Sequence, residues 1–192
     1  MDAFFASLAE GFDLPILDWI RANLTNPFLD TVMPHLTRWG DAGFIWIVLA
    51  VFLLCFRKTR KTGLTLGLAL IIGLLVCNLT LKPLIARIRP YDYQQLYAGK
   101  MIPLLMDKPS DFSFPSGHTI TAFEGAAVVM LSSRKWGIPT LCFALMIAFS
   151  RLYLYFHYPT DVLASMVLGT GIAFLAAWLV KKGEIWCNSR RR

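Results

Sequence analysis

Charged residues are scarce in this chain of 192 residues. Asp, Glu, Lys and Arg make up 16% of it, whereas hydrophobic residues make up 56%. Soluble domains contain about a quarter charged residues. A core of this size cannot bury so much apolar surface, and a lipid bilayer is the natural alternative. The length suits a single domain over residues 1–192.

Several common patterns are also missing. The four cysteines show neither a CxxC pair nor a Cys/His cluster, and we therefore expect no disulfide framework, no metal and no cofactor. The N-terminus lacks the basic segment of a secretory signal peptide, so we expect no cleavable signal. The net charge is +7, but no basic stripe is interleaved with aromatic residues, and we expect no nucleic-acid partner.

Five apolar stretches approach the roughly 20 residues that a bilayer crossing takes. They are residues 42–56, 63–81, 117–133, 138–155 and 162–180. Residues 1–41 mix apolar and charged positions around three prolines, a pattern typical of short interfacial helices. The sequence predicts an all-α integral membrane bundle of five to six transmembrane helices. It would have an interfacial N-terminal segment (1–41), a transmembrane core (42–182) and a basic cytoplasmic tail (183–192).

Basic residues predict the orientation of this bundle. Of the 19 Lys and Arg residues, 11 fall on one predicted face, together with a single acidic residue, Glu184. Positive residues favour the cytoplasmic side of a membrane. That face and the C-terminus would be cytoplasmic, and the long connection 90–114 would lie outside.

Three polar clusters interrupt the apolar pattern on the outward face. They are residues 82–90 at the end of the second span, 115–118 at the start of the third, and 150–161 between the fourth and fifth. Because successive spans alternate in direction, all three clusters end on the same side. Residues far apart in sequence can therefore form one site.

The clusters contain groups that suit a phosphate. Lys82, Arg89 and Arg151 would form an anion site, because charge near a membrane is costly unless it is paired and a guanidinium matches phosphate oxygens. The backbone N–H groups of Ser116 and Gly117, ahead of a predicted helix, can face the same anion. We therefore expect a phosphate-binding cradle.

Two of the three histidines lie in these clusters. His157 precedes Asp161 by four residues, so that the carboxylate can fix the tautomer at one ring nitrogen and leave the other free to attack. His118 is placed to protonate a leaving oxygen. A nucleophile and an acid of this kind predict covalent phosphoryl transfer in two steps without a metal.

The same residues form three motifs of a known family. The motifs are Lys82 followed after six residues by Arg89-Pro90, Pro-Ser-Gly-His at 115–118, and Ser150-Arg151 followed by His157 and Asp161. The chain resembles the PAP2 superfamily of membrane lipid phosphatases, and within it the bacterial undecaprenyl-diphosphate phosphatases. The resemblance implies a phosphohistidine at His157, Asp161 as its partner and His118 as the acid. It also implies phosphate binding by Lys82, Arg89, Ser116, Gly117 and Arg151.

The expected function is hydrolysis of a lipid phosphate or diphosphate, preferably undecaprenyl diphosphate, at the outer face of a bacterial inner membrane. This reaction would recycle the carrier lipid of cell-wall synthesis. A phosphatidylglycerophosphate or phosphatidate phosphatase and a lipid-to-lipid phosphotransferase are the alternatives. A non-catalytic lipid-binding protein would not need the histidine pair. The expected partners are the lipid substrate and membrane lipids, with no obligate protein partner.

Three further residues have open or minor roles. Arg87 is interpreted as a membrane anchor or a phospholipid contact, and His35 as a solvated side chain. Glu124 lies within the third predicted span, where an ionisable residue is a functional candidate. A structural hydrogen bond from Glu124 to Asn78 or to another span is the alternative.

Overall fold

The computed structural model describes residues 3–189, and its regular elements are all helical. The helices are α1 (Ala3–Leu8), α2 (Leu14–Leu24), α3 (Pro27–Arg38), α4 (Phe44–Cys55), α5 (Arg60–Gly73), α6 (Lys82–Ile85), α7 (Pro90–Ala98), α8 (Gly117–Ser132), α9 (Arg134–Tyr153) and α10 (Pro159–Ser189). Wider π-helical stretches, Ala9–Asp13 and Leu74–Leu81, join α1 to α2 and α5 to α6. A 3₁₀ turn at Asp41–Gly43 precedes α4.

Helix α8 lies at the centre of the bundle, in contact with α5, α9 and α10. Glycines permit its close packing. A Cβ on Gly125 would lie 2.0 Å from Cε3 of Trp46, and one on Gly169 of α10 would lie 2.6 Å from the Ile120 carbonyl oxygen. Small residues let membrane helices approach in this way. The start of α8 is thereby held between the ends of its neighbours.

Within residues 3–189, three helical stretches are long and apolar enough to cross a membrane: Arg60–Ala98, Arg134–Tyr153 and Pro159–Trp186. A fourth is present if Pro27–Arg38 and Asp41–Cys55, which are bent by 43°, form one broken span. The third predicted span differs, because α8 has 16 residues and reaches only about 24 Å. The all-α membrane bundle is confirmed, and the number of five to six spans stays a prediction.

The N-terminal segment is built into the fold. Leu14 and Leu17 are buried in one apolar cluster with Tyr91, Tyr155 and Phe156, which belong to the end of the bundle that carries the polar motifs. Phe4, Phe12, Trp19 and Phe28 remain exposed. The segment therefore contributes buried residues to the motif end of the bundle, in addition to its exposed aromatic side chains.

The predicted cytoplasmic loops meet at the opposite end of the bundle. Lys61 forms an ion pair with Glu184, and the Thr62 hydroxyl donates to Ser132 Oγ over 2.8 Å. Helix α10 runs on to Ser189, so that residues 183–189 of the predicted tail are helical. Arg190, Arg191 and Arg192 lie outside the described residues.

Candidate active site

The three motifs converge on one cavity of about 480 Å³. Six of the eight predicted site residues line it: Lys82, Arg89, Gly117, His118, Arg151 and His157. The cavity lies where α6 ends, α8 begins and α9 passes into α10. Alternation of the helices thus brings distant motifs together, as the sequence predicts.

His157 has a defined tautomer in this cavity. Its Nδ1 lies 2.7 Å from the backbone carbonyl oxygen of Ser113. A carbonyl oxygen can only accept a hydrogen bond, so Nδ1 carries the proton. The other ring nitrogen, Nε2, lies 3.2 Å from Arg89 Nη1, a donor. Nε2 therefore carries the lone pair, which faces the cations and accepts a hydrogen bond from Arg89.

The surroundings of His157 also keep its ring neutral. Burial lowers its pKa well below the ordinary value, and the positive charges of Arg89, Arg151 and Lys82 lower it further. The imidazole stays unprotonated at neutral pH. A neutral imidazole whose Nε2 carries a lone pair is the form that can attack phosphorus.

Asp161 differs from the expectation in one respect. Its carboxylate is 3.9 Å from His157 Nδ1, beyond hydrogen-bond range, because the Ser113 carbonyl takes that position. Asp161 instead accepts from the Ser113 hydroxyl over 2.5 Å and from Tyr158 N–H over 3.2 Å. The carboxylate therefore joins the connection that carries Ser113 to the residue after His157, and it acts on the ring through Ser113.

Arg87 is neither an anchor nor a lipid contact, because its side chain is fully buried between two carboxylates. Nη1 lies 2.5 Å from Asp161 Oδ1 and Nη2 lies 2.7 Å from Asp13 Oδ2. The guanidinium also stacks on the ring of Tyr158 at 3.8 Å. Asp13 in turn accepts from Thr160 N–H over 2.9 Å at the start of α10. Through Asp13, the N-terminal segment therefore contacts the residues that hold the His157 loop in place.

The three cations of the proposed phosphate cradle have different partners. Arg89 Nη1 donates to the Phe156 carbonyl over 2.7 Å, and Arg151 Nη1 donates to Thr37 Oγ1 over 2.6 Å. Lys82 Nζ and Arg89 Nη2 both contact Asp111, each over 2.5 Å. All three cations are almost fully buried, so that their charge is focused on the cavity.

The two residues before His118 do not play equal parts. Gly117 lines the cavity. The Ser116 side chain is fully buried, and its N–H donates to Ser165 Oγ of α10 over 2.8 Å. The expectation that the Ser116 N–H faces the anion is therefore not met in this structure. That N–H is used to join the start of α8 to α10.

His118 has a carboxylate partner that the motifs do not contain. Its Nε2 lies 2.8 Å from Oδ1 of Asp41, in the turn before α4. The carboxylate accepts a hydrogen bond from Nε2, which fixes the orientation of the ring. The contact leaves Nδ1 as the second ring nitrogen.

Glu124 does not make the predicted hydrogen bond to Asn78. The side chain is fully buried on α8, and neither carboxyl oxygen has a hydrogen-bond partner among the described residues. It faces Gly73, where a Cβ would lie 2.0 Å from its Oε1. The absence of a side chain at Gly73 therefore makes room for the carboxyl group between α5 and α8.

Sequence reasoning missed four residues of this site: Asp13, Asp41, Asp111 and Ser113. Each is a partner of a motif residue and lies outside every motif. Ser113 is three residues before Ser116, and Asp111 is five, so proximity to a motif was the available signal for these two. Asp13 and Asp41 had no such signal.

Comparison with known proteins identifies the family of the chain. The family model described as the PAP2 superfamily matches residues 62–184. The chain belongs to the PAP2 superfamily. A relative from Sulfolobus acidocaldarius, named undecaprenyl-diphosphatase, is 33% identical over 177 residues, which cover 91% of this chain and 82% of that protein.

Two further PAP2-related proteins bear on the comparison. Undecaprenyl-diphosphatase BcrC of Bacillus subtilis is 32% identical over 150 residues, covering 78% of this chain and 74% of its own. The crystal structure of a transmembrane PAP2 type phosphatidylglycerolphosphate phosphatase from Bacillus subtilis matches with a TM-score of 0.68 and 26% identity. It covers 94% of this chain and 88% of that one. The fold and the family are thereby shown together.

Proposed function

We propose that this PAP2 chain is a metal-independent membrane phosphatase that removes a terminal phosphate from a lipid through a phosphohistidine at His157. One observation carries the proposal. His157 donates from Nδ1 to a backbone carbonyl and presents Nε2 to a group of buried cations. A neutral nucleophile beside a cationic anion site is the arrangement that phosphoryl transfer needs.

The first step forms a covalent intermediate. The Nε2 lone pair of His157 attacks the terminal phosphorus while Lys82, Arg89 and Arg151 neutralise the phosphate oxygens. The bond from phosphorus to the lipid oxygen breaks, and His118 gives its proton to that oxygen. The products of this step are a phosphorylated imidazole and the shortened lipid.

The second step releases the phosphate. His118, now neutral, accepts a proton from a water molecule while the water oxygen attacks phosphorus. The bond between phosphorus and Nε2 breaks, and the electron pair returns to the ring. Orthophosphate leaves, and both histidines regain their starting states.

The cavity also has an apolar wall, which supports a lipid substrate. Ile47 of α4, Leu70 of α5 and Leu74 of the adjoining π-helical stretch line it together with the cations. Ile47 and Leu74 are both about half exposed on the outer surface of the bundle. A substrate with its phosphate at the cations can therefore extend its tail along a surface that faces the membrane.

Undecaprenyl diphosphate is the substrate that we propose first. Two relatives that carry undecaprenyl-diphosphatase in their names are 33% and 32% identical to this chain. A phosphatidylglycerophosphate is the second candidate, favoured by the matched Bacillus structure. Both lipids end in a phosphate that the cations can hold.

We place the site on the extracytoplasmic face of a bacterial inner membrane, with the C-terminus in the cytoplasm. This proposal rests on the basic residues near Lys61 and Lys182, which lie at the end of the bundle opposite His157. The positive-inside rule assigns that end to the cytoplasm.

A substrate panel tests the proposed function. The purified protein in neutral detergent, with excess chelator, would be given undecaprenyl diphosphate, phosphatidylglycerophosphate, phosphatidate and a soluble diphosphate. We expect phosphate release without any acceptor, fastest from undecaprenyl diphosphate, at a rate that the chelator leaves unchanged. Side-chain cations supply the charge that a metal would otherwise supply.

Each other result would change a specific part of the proposal. Loss of activity with chelator, and its recovery with a divalent metal, would contradict the metal-independent mechanism. A clear preference for phosphatidylglycerophosphate would change the proposed substrate and leave the proposed phosphohistidine mechanism as it is. Phosphate transfer that requires an added lipid acceptor would make the chain a phosphotransferase.

A further inference from the structure

Asp111 occupies the place where the phosphate is expected. Its two carboxylate oxygens bridge two of the cations, with Oδ1 2.5 Å from Arg89 Nη2 and Oδ2 2.5 Å from Lys82 Nζ. Its backbone carbonyl also accepts from Arg89 Nε over 2.8 Å. The cations are nearly buried, whereas the Asp111 side chain is half exposed. The residue therefore covers the cations from the open side of the cavity.

The Asp111 carboxylate is chemically similar to a bound anion. Burial would raise its pKa, but the hydrogen bonds and charges of Lys82 and Arg89 outweigh this effect and lower the pKa to about 2. The group is ionised at any physiological pH. Two oxygens with one negative charge, held by a lysine and an arginine, reproduce two oxygens of a phosphate group.

The position of Asp111 in the chain allows its side chain to move away from the two cations. It lies in the connection between α7 and α8, which contains no helix from residue 99 to 116. Among the described residues, its side chain forms hydrogen bonds only with these two cations. A carboxylate tethered in this way competes with any free anion at a local concentration on the order of millimolar.

We propose that Asp111 is a tethered competitor for the phosphate subsite and sets the affinity that an anion must exceed to enter it. The proposal rests on the proposed function of the same site. A terminal phosphate carries nearly two negative charges and three free oxygens at neutral pH, and it displaces the carboxylate. The phosphodiester groups of ordinary bilayer lipids carry only one charge, as the carboxylate does, and they do not displace it.

The consequence is a substrate class. The cavity borders a surface that faces lipid at Ile47 and Leu74, so that phosphodiester headgroups surround it in large excess. With Asp111 in place, terminal phosphates and diphosphates bind, and bulk phosphodiesters are kept out. Asp111 is therefore a specificity-determining residue.

Binding of orthophosphate to the purified protein in neutral detergent tests this proposal. Calorimetric titration would compare the wild type with Asp111→Asn, which preserves shape and the backbone carbonyl and removes the charge. If the competent state is about one-tenth populated in the wild type, the variant should bind orthophosphate about tenfold more tightly. Phosphatidylglycerol added to the micelles should compete with orthophosphate in the variant at about tenfold lower amounts.

A matched control separates competition from simple loss of negative charge. Asp107 lines the same cavity and is exposed, and it makes no contact with Lys82 or Arg89. Asp107→Asn should leave orthophosphate affinity within about twofold of the wild type, the size of a screened surface effect. Asp111→Ala should reproduce the direction of the Asn variant, and thermal unfolding would verify that both variants are folded.

Several results would overturn the proposal. Unchanged or weaker orthophosphate binding in Asp111→Asn would mean that Asp111 organises the cations instead of competing for them. An equal gain in orthophosphate affinity in Asp107→Asn would mean that the effect comes from the net charge of the cavity and not from competition at the cations. Orthophosphate binding does not require turnover. Failure of the proposed function would appear separately, as wild-type protein that binds orthophosphate and releases none from any lipid.

Discussion

Replacement of His157 by alanine is expected to reduce phosphate release by about 10⁴-fold or more, the size of effect seen when a nucleophile is removed. The structure provides no substitute for Nε2. Of the two other histidines, His118 is bonded to Asp41 and His35 lies in a separate surface groove. The measurement is phosphate release from undecaprenyl diphosphate in detergent with chelator present.

His35→Ala is the matched control for this change. His35 is exposed on α3, so its removal deletes an imidazole without touching the cavity. We expect the control to keep the wild-type rate. Turnover by His157→Ala within tenfold of the wild type would remove His157 as the nucleophile.

Replacement of Asp161 by asparagine should lower kcat by about 10²-fold or more, by analogy with other carboxylates that orient a catalytic histidine. The change removes the charge paired with Arg87 and weakens the bond to the Ser113 hydroxyl, whose residue also holds His157 Nδ1. Asp161 does not line the cavity, so KM should change little. Steady-state rates across substrate concentrations would separate the two constants.

Asp92→Asn is the control for Asp161→Asn. Asp92 forms a surface ion pair with Lys108 at 3.5 Å, with 41% of its side chain exposed. Loss of a surface pair has a small effect, and the control should retain full activity. A kcat for Asp161→Asn equal to that of the control would exclude Asp161 from the mechanism. A rise in KM at constant kcat would give it a binding role instead.

The sequence was sufficient to predict that the three motifs share one cavity. The alternating directions of the helices place the ends of the second and fourth predicted spans beside the starts of the third and fifth. Lys82, Gly117 and His157 meet for that reason. This part of the prediction depends only on the alternating direction of the helices, and the motifs share the cavity even though α8 is shorter than the usual length of a span.

The partners of the motif residues could not be predicted in the same way. Arg87 pairs with Asp13, which is 74 residues away in sequence, and His118 pairs with Asp41 at a distance of 77 residues. An ion pair depends on where two side chains lie in space, and the separation of two residues in the sequence does not indicate whether they will be close. For this reason Arg87 was wrongly interpreted as an anchor.

Helix details were also hidden by the composition. In a membrane protein, both the lipid-facing and the packed faces of a helix are apolar. The pattern of hydrophobic residues therefore gives little indication of which face is packed against other helices. The π-helical stretch Leu74–Leu81 left no signal of this kind. Neither did the burial of α8, most of whose apolar residues are packed inside the bundle.

The N-terminal segment is more closely tied to the site than an interfacial role implies. Asp13 accepts from the backbone of Thr160 at the start of α10 and from Arg87, which in turn holds Asp161. Buried ion pairs are costly to break on one side only. We infer that residues 3–24 support the loop that carries His157.

The most direct test of the account is the covalent intermediate itself. The protein with excess chelator would be mixed with a lipid diphosphate labelled at its terminal phosphate, quenched in base within the first turnovers, and mapped by mass spectrometry. We predict an acid-labile, base-stable phosphate on His157, absent from His157→Ala and unchanged in His35→Ala. Phosphate found on another residue, or active protein that never carries the label, would contradict the phosphohistidine mechanism.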